Sequence, residues 1–203
     1  MEPIDVLRPT FHELQQAINN YKNILKDSPA LVSLFNQGQW FSYTRENFEI
    51  SSSYVHAYPG VLGGQLVFLM IPSAYDNKDT PNIQDYVQLC PISLEDRSNR
   101  ISSKTALARI NRWHNNHAHW IPTQVDSEYG MFQAFNISSE DFEDEFVFIS
   151  LGLLAAADVD SPDRADMIVG NGNLNAMVYD DFVKPVPPFG ASAAASSFYL
   201  LSL

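Results

Sequence analysis

The sequence predicts an α+β fold made of two tandem copies of one unit, a helix followed by a mostly antiparallel sheet, related by a pseudo-two-fold axis. Three observations predict it. First, Phe41-Ser42-Tyr43-Thr44-Arg45-Glu46-Asn47-Phe48-Glu49 has an echo in Phe135-Asn136-Ile137-Ser138-Ser139-Glu140-Asp141-Phe142-Glu143, 94 residues on. Both read Phe, any residue, apolar, Ser/Thr, any residue, Glu, Asn/Asp, Phe, Glu. Second, three further matches keep the same order: Ile18–Tyr21 with Ile110–Trp113 and Val55–Leu62 with Val147–Leu154 at 92 residues, and Asp85–Pro91 with Asp181–Pro187 at 96. Third, each part opens with an apolar pattern of helical period and continues in strand-like runs. A unit of this size is marginal alone, so two copies would pack as one compact body, like a homodimer fused into one chain. The boundary falls at residues 1–96 and 97–203, the second copy carrying an extra tail.

In the first copy, Thr10 stands three residues before Glu13, the spacing of a reciprocal helix cap. Phe11, Leu14, Ile18, Tyr21 and Leu25 then recur at helical spacing and predict one buried stripe. Ser28-Pro29 starts a second short helix with Gly38 as its stop. Trp40 to Tyr43 reads as a strand, and Thr44 as the cap of a helical turn carrying Phe48. Tyr54–Leu62, Gly63-Gly64 and Gln65–Ile71 form a hairpin. Its second arm has no polar alternation, which predicts cover on both faces. Pro72 to Pro81 is a polar loop, and Asp85 to Leu89 a last strand closed by Pro91.

The second copy repeats this order. Ser102 or Ser103 caps a helix with Ala106, Leu107, Ile110 and Trp113 inward. Met131 to Ile137 is a strand leading into the echo, and Val147–Leu154 and Asp181–Pro187 are the counterparts of first-copy strands. The tail from Ala191 to Leu203 has no counterpart; its apolar end docks on its own protein or, if exposed, serves as a docking peptide.

Asn111-Arg112-Trp113, Phe135-Asn136-Ile137 with Asp141, Tyr58-Pro59-Gly60, the apolar run Leu66–Ile71 and Val186-Pro187-Pro188 together give each half a layout that resembles a group of small bacterial proteins of about this unit length. The Pro-Cys-Pro ending of that group survives here only as Cys90-Pro91, with Leu89 in place of the first proline. No activity is known for the group, so the resemblance implies none.

Composition narrows the function. With 45% apolar and 12% aromatic residues in 203, the chain can build a real core. The net charge of −12 is shared equally: five basic against eleven acidic residues before position 97, seven against thirteen after it. An evenly acidic surface repels phosphate backbones, which argues against nucleic acid and anionic membranes. Cys90 is the single cysteine, so no intrachain disulfide can form. Met1-Glu2-Pro3-Ile4-Asp5 lacks a signal-peptide pattern, and the apolar run Phe146–Ala157 is too short to span a bilayer, so the expected location is the cytoplasm.

Features of one copy alone are candidates for acquired function. His114, His117 and His119, read as a loop just after the helix, could share zinc or copper. The set lacks a fourth ligand, as no carboxylate lies between Arg97 and Gln124, and solvent-facing histidines at a helix end are the plainer reading. Asp158, Asp160, Asp163 and Asp166 could gather calcium, but Pro162 holds a ligand position and an acidic hairpin loop explains them. Arg97, Arg100, Lys104, Arg109 and Arg112 could bind a phosphate at a helix start; salt bridges to the acidic first copy are the plainer account. Glu46 with Glu49, and Glu140 with Glu143, read as solvated turn residues, and no nucleophile elbow or phosphate loop is present.

The expected function is therefore a non-enzymatic interaction or accessory protein whose partner is another protein or a second copy, with no catalytic residues and no cofactor. The alternative is a small-molecule or metal-binding protein, a hydrolase among the options, with zinc at the three histidines between the repeats.

Overall fold

The computed structural model describes residues 6–46, 52–93, 104–156, 162–172, 178–180, 183–186 and 198–203. The predicted caps Ser102 and Ser103, the turn residues Asn47, Phe48 and Glu49, Arg97, Arg100, Asp158, Asp160 and the tail before Phe198 lie outside them. Among the described residues the fold is α+β, with three α-helices and two antiparallel sheets.

Helix α1 (Phe11–Ile24) begins as the sequence predicts. The Thr10 hydroxyl accepts from the Glu13 amide at 3.2 Å, and the Thr10 amide donates to the Glu13 carboxylate at 2.7 Å. Leu14, Ala17, Ile18 and Tyr21 are buried, but Phe11 is 43% exposed. Helical side chains lean toward the N-terminus, so an apolar residue in the first position overhangs the end of the buried stripe. Helix α2 (Ser28–Phe35) is capped by Asp27, whose carboxylate accepts from the Ala30 amide. Gly38 is not its stop. Its neighbour Gln39 donates to the Ser93 carbonyl, and a Cβ on Gly38 would lie 2.4 Å from that oxygen.

Strands β1 (Trp40–Thr44), β6 (Phe146–Leu154), β7 (Arg164–Asn171) and β8 (Val178–Asp180) form one sheet in the order β1-β6-β7-β8. Strands β4 (Gln88–Pro91), β3 (Gln65–Pro72), β2 (Tyr54–Leu62), β5 (Ala134–Ser138) and β9 (Val183–Val186) form the other, in that order. Gly63 and Gly64 make the β2–β3 turn with φ of 58° and 80°, the left-handed pair a two-residue hairpin loop needs. β3 is buried on both faces from Leu66 onward, as its unbroken apolar run predicts. Thr44 is the last residue of β1, and the turn expected to carry Phe48 lies outside the described residues. The strand expected from Asp85 starts only at Gln88, because Ile83–Tyr86 winds into a 3-10 turn.

The two sheets meet at both edges. β1 lies beside β4 and bridges through Trp40 to Ser93, two residues past its end, and β9 lies beside β7. The strands thus follow one another in a ring: β1, β6, β7, β8 with β9, β5, β2, β3, β4. Phe41, Phe68, Phe135, Val147, Ile149 and Met167 fill its interior, and Phe41 stacks on Phe68 across it at 4.4 Å. Each such buried side chain contributes about 2–3 kcal/mol.

α1 lies on the outside of the five-stranded sheet, with Leu14, Ala17 and Ile18 against Tyr58, Val67 and Leu69. Helix α3 (Lys104–Val125) lies on the outside of the four-stranded sheet, with Ala106 and Ile110 against Ile168. Glycines permit both approaches. A Cβ on Gly60 would lie 3.0 Å from Ala17, and one on Gly152 would lie 3.4 Å from Arg109. α3 does not stop before His114 but continues to Val125. Residues 114–116, 118 and 119 are exposed, while Trp113, His117, Ile121 and Gln124 hold the buried period.

Candidate functional site

The polar residues that come together lie on the outer face of the five-stranded sheet, beside α1. His56 and Tyr58 are two residues apart on β2 and so share a face. Asp76 reaches them from the loop after β3, where the Tyr75 amide donates to the Pro72 carbonyl and the Asp76 amide to that of Ser73. Its carboxylate is fully covered. One oxygen, Oδ2, lies 2.6 Å from His56 Nδ1 and accepts from the Tyr58 hydroxyl. The other, Oδ1, accepts from the backbone amide of Leu200 at 3.1 Å.

A buried carboxylate is tolerated when it is paired and its oxygens are hydrogen-bonded. Here three donors do this, from a strand and from a segment 124 residues further along. Burial, reinforced by the Asp76 charge, pushes the Tyr58 hydroxyl well above the usual tyrosine range, so it stays a donor.

The segment Phe198–Leu203 closes over this cluster. The Phe198 ring stacks on His56 and meets Tyr58 edge-on at 5.9 Å. Leu200 is wholly buried, and Tyr199–Ser202 forms a 3-10 turn. Lys22 of α1 donates to the Leu201 carbonyl at 2.6 Å, and desolvation there lowers the ammonium below its usual value. The apolar end of the tail therefore docks on its own protein.

This arrangement holds a short peptide: an aromatic ring on His56, an aliphatic side chain beside it, a main-chain amide on Asp76. Among the described residues no serine, threonine or cysteine side chain hydrogen-bonds to His56. Cys90 belongs to the cluster inside the ring, whereas Tyr58 and Phe198 belong to the cluster outside it.

The residues singled out from sequence lie elsewhere. His117 is buried in α3, stacked on Trp113, with Nδ1 2.9 Å from the Trp113 carbonyl and Nε2 3.0 Å from Asn36 Oδ1. His114 is exposed beside Gln39, and His119 is exposed. Among the described residues no three His, Cys, Asp or Glu side chains are placed to hold one metal ion. Of the basic run, Arg109 pairs with Asp166 at 2.8 Å, and Arg112 donates to the Leu153 carbonyl, with Asp163 at 3.9 Å. Lys104 is exposed. Glu46 pairs with Arg8, while Glu140 and Glu143 are exposed. Among the described residues no helix is long and apolar enough to cross a membrane.

Sequence reasoning missed His56, Tyr58 and Asp76, although a signal was there. At the 92-residue offset of the sequence echo, His56 and Tyr58 correspond to Phe148 and Ser150, so the echo keeps neither residue. Asp76 carries no such signal, because nothing in a polar loop marks which carboxylate turns inward.

Comparison with known protein families, curated proteins and solved structures gives no match. The functional reading therefore rests on the chemistry of this site.

Proposed function

We propose that the protein is a non-enzymatic interaction protein that binds a short peptide segment on the outer face of its five-stranded sheet. One observation carries this reading: the buried Asp76 carboxylate spends one oxygen on the Leu200 amide and the other on His56 and Tyr58. A carboxylate so placed recognises a peptide main chain, and the aromatic floor at His56 recognises a side chain. The partner is a protein segment, not a nucleic acid.

In the same reading the chain is two copies of one unit that exchange their first strands. β1 pairs with β6, placing Phe41 opposite Ile149, while β5 pairs with β2, placing Phe135 opposite Ala57. The order around the ring is unchanged when β1, β6, β7 and β8 with β9 are replaced by β5, β2, β3 and β4. The contacts of Gly60 with Ala17 and of Gly152 with Arg109 are also 92 residues apart at both partners. The unit would then be shared architecture, and the peptide site an acquisition of one copy.

The test uses the full chain with Phe198→Ser and Leu200→Ser, which releases the resident segment, and a labelled synthetic peptide of residues 198–203. Saturable one-to-one binding that is lost on adding His56→Ala supports the proposal. A folded variant that binds no peptide contradicts it.

A further inference from the structure

We infer, resting on that peptide reading, that the groove takes a segment of another protein with an aromatic residue two positions before an aliphatic one, and that residues 198–203 hold the place until it arrives. The resident segment defines the pattern. Phe198 and Leu200 are buried to 2% and 0%, while Tyr199 and Leu201 are partly exposed and Ser202 is exposed. The groove therefore grips alternate residues, and it takes the amide of the aliphatic one at Asp76 Oδ1. The neighbouring Tyr199, Leu201 and Leu203 pack against the same cluster from its rim.

The resident segment is an incomplete occupant. Asn136 stands opposite His56 in the β2–β5 pairing and so on the same face of the sheet. Its side-chain oxygen is buried and has no hydrogen-bond partner among the described residues. An incoming segment with a donor at that point meets an acceptor that residues 198–203 leave unmet, a gain of about tenfold in affinity. In the other direction, covalent attachment favours the resident. Its return is intramolecular, so a free peptide must compete with a segment that needs no second molecule. A partner that repeats only the resident contacts competes poorly, and one that adds the missing donor or further surface displaces it. The groove is thus closed to weak ligands and open to a matched one.

The test compares the native chain with the Phe198→Ser, Leu200→Ser form, using the labelled peptide of residues 198–203 as probe. The substituted form is expected to bind at least about tenfold more tightly than the native chain. A peptide with alanine in place of its phenylalanine is expected to lose at least about tenfold. In the native chain, saturating peptide is expected to speed hydrogen exchange at the Leu200 amide as that segment is displaced. Equal affinity for the two forms, or binding indifferent to the peptide's phenylalanine, overturns the inference and leaves the peptide reading standing. Binding to neither form overturns the peptide reading itself. Should the substituted form fail to fold, the native chain decides: Leu200 exchange unchanged by saturating peptide overturns the inference.

Discussion

Phe198 lies on His56 with ring centroids 4.0 Å apart and planes tilted by 28°, joining the end of the described chain to the middle of β2. The stack matters because of what lies beneath it. His56 is held by Asp76, Asp76 by Tyr58, and the other oxygen of Asp76 by the Leu200 amide. Ring and carboxylate together hold a side chain and a main-chain amide of residues 198–203 at once.

Asp76→Ala is expected to destabilise the protein by about 3–5 kcal/mol, since it strands the His56 ring, the Tyr58 hydroxyl and the Leu200 amide in a covered site. Urea unfolding measures this. A loss under about 1 kcal/mol would mean that the carboxylate is not a buried hub.

Phe198→Ala is expected to cost well below the roughly 3–5 kcal/mol of a central phenylalanine. Its loss is limited to the free energy that holds one segment, which opens without unfolding the ring of strands. Phe68→Ala, stacked on Phe41 inside the ring, is expected to cost the full amount. Paired unfolding curves check the contrast, and equal losses would place Phe198 in the central core.

Stability at high pH follows from the tyrosines. Burial and the Asp76 charge raise the Tyr58 hydroxyl above 10.0, while in the unfolded chain it titrates near that value. The folded state therefore keeps the proton longer, so the contribution is complete below about pH 10 and is lost as pH rises toward the folded value. Tyr21, buried and donating to the Phe132 carbonyl at 3.0 Å, adds a decline of the same sign. Above about pH 10, the native chain is expected to lose stability more steeply than Tyr58→Phe. Urea midpoints across that range measure the two slopes, and parallel slopes would contradict the account.

His117→Ala is expected to cost about 2 kcal/mol or more, through a lost stack on Trp113 and two lost hydrogen bonds. His114→Ala and His119→Ala, on exposed positions, are expected to stay within about 0.5 kcal/mol. Zinc or a chelator is expected to leave the melting temperature unchanged. Thermal melts of the three variants check this, and zinc stabilisation lost in all three would restore a metal role.

Gly60→Ala is expected to destabilise by about 1–3 kcal/mol, because the new methyl meets Ala17 at 3.0 Å and its backbone at 3.4 Å. Gly152→Ala is expected to cost less, since its methyl meets the side chains of Arg109 and Ile168 at 3.4 and 3.5 Å. Unfolding curves rank the pair, and the reverse order would contradict the packing of α1.

Much of the fold was legible because it is local. The Thr10–Glu13 cap, the Gly63-Gly64 turn and the double burial of β3 each follow from short-range rules, and each is present. The length of α3 was not legible, because the polar stretch 114–119 looks like a helix end until His117, Ile121 and Gln124 are seen to continue the buried period. The acidic neighbours of Arg109 and Arg112 were not legible because acidic residues occur in both halves, and only proximity in space selects Asp166 of β7 and Asp163 just before it. The site itself was the least legible part. It joins residues 56, 76 and 198, and no spacing rule links a strand, a loop and a distant segment.

The most direct measurement is hydrogen exchange at the Leu200 amide in the native chain. The account predicts an amide protected at least about a hundredfold, because Asp76 Oδ1 holds it under cover, with protection lost in Asp76→Ala. Exchange at the rate of an open chain, or protection unaffected by Asp76→Ala, would mean that the carboxylate does not hold residues 198–203, and the peptide site would fall with it.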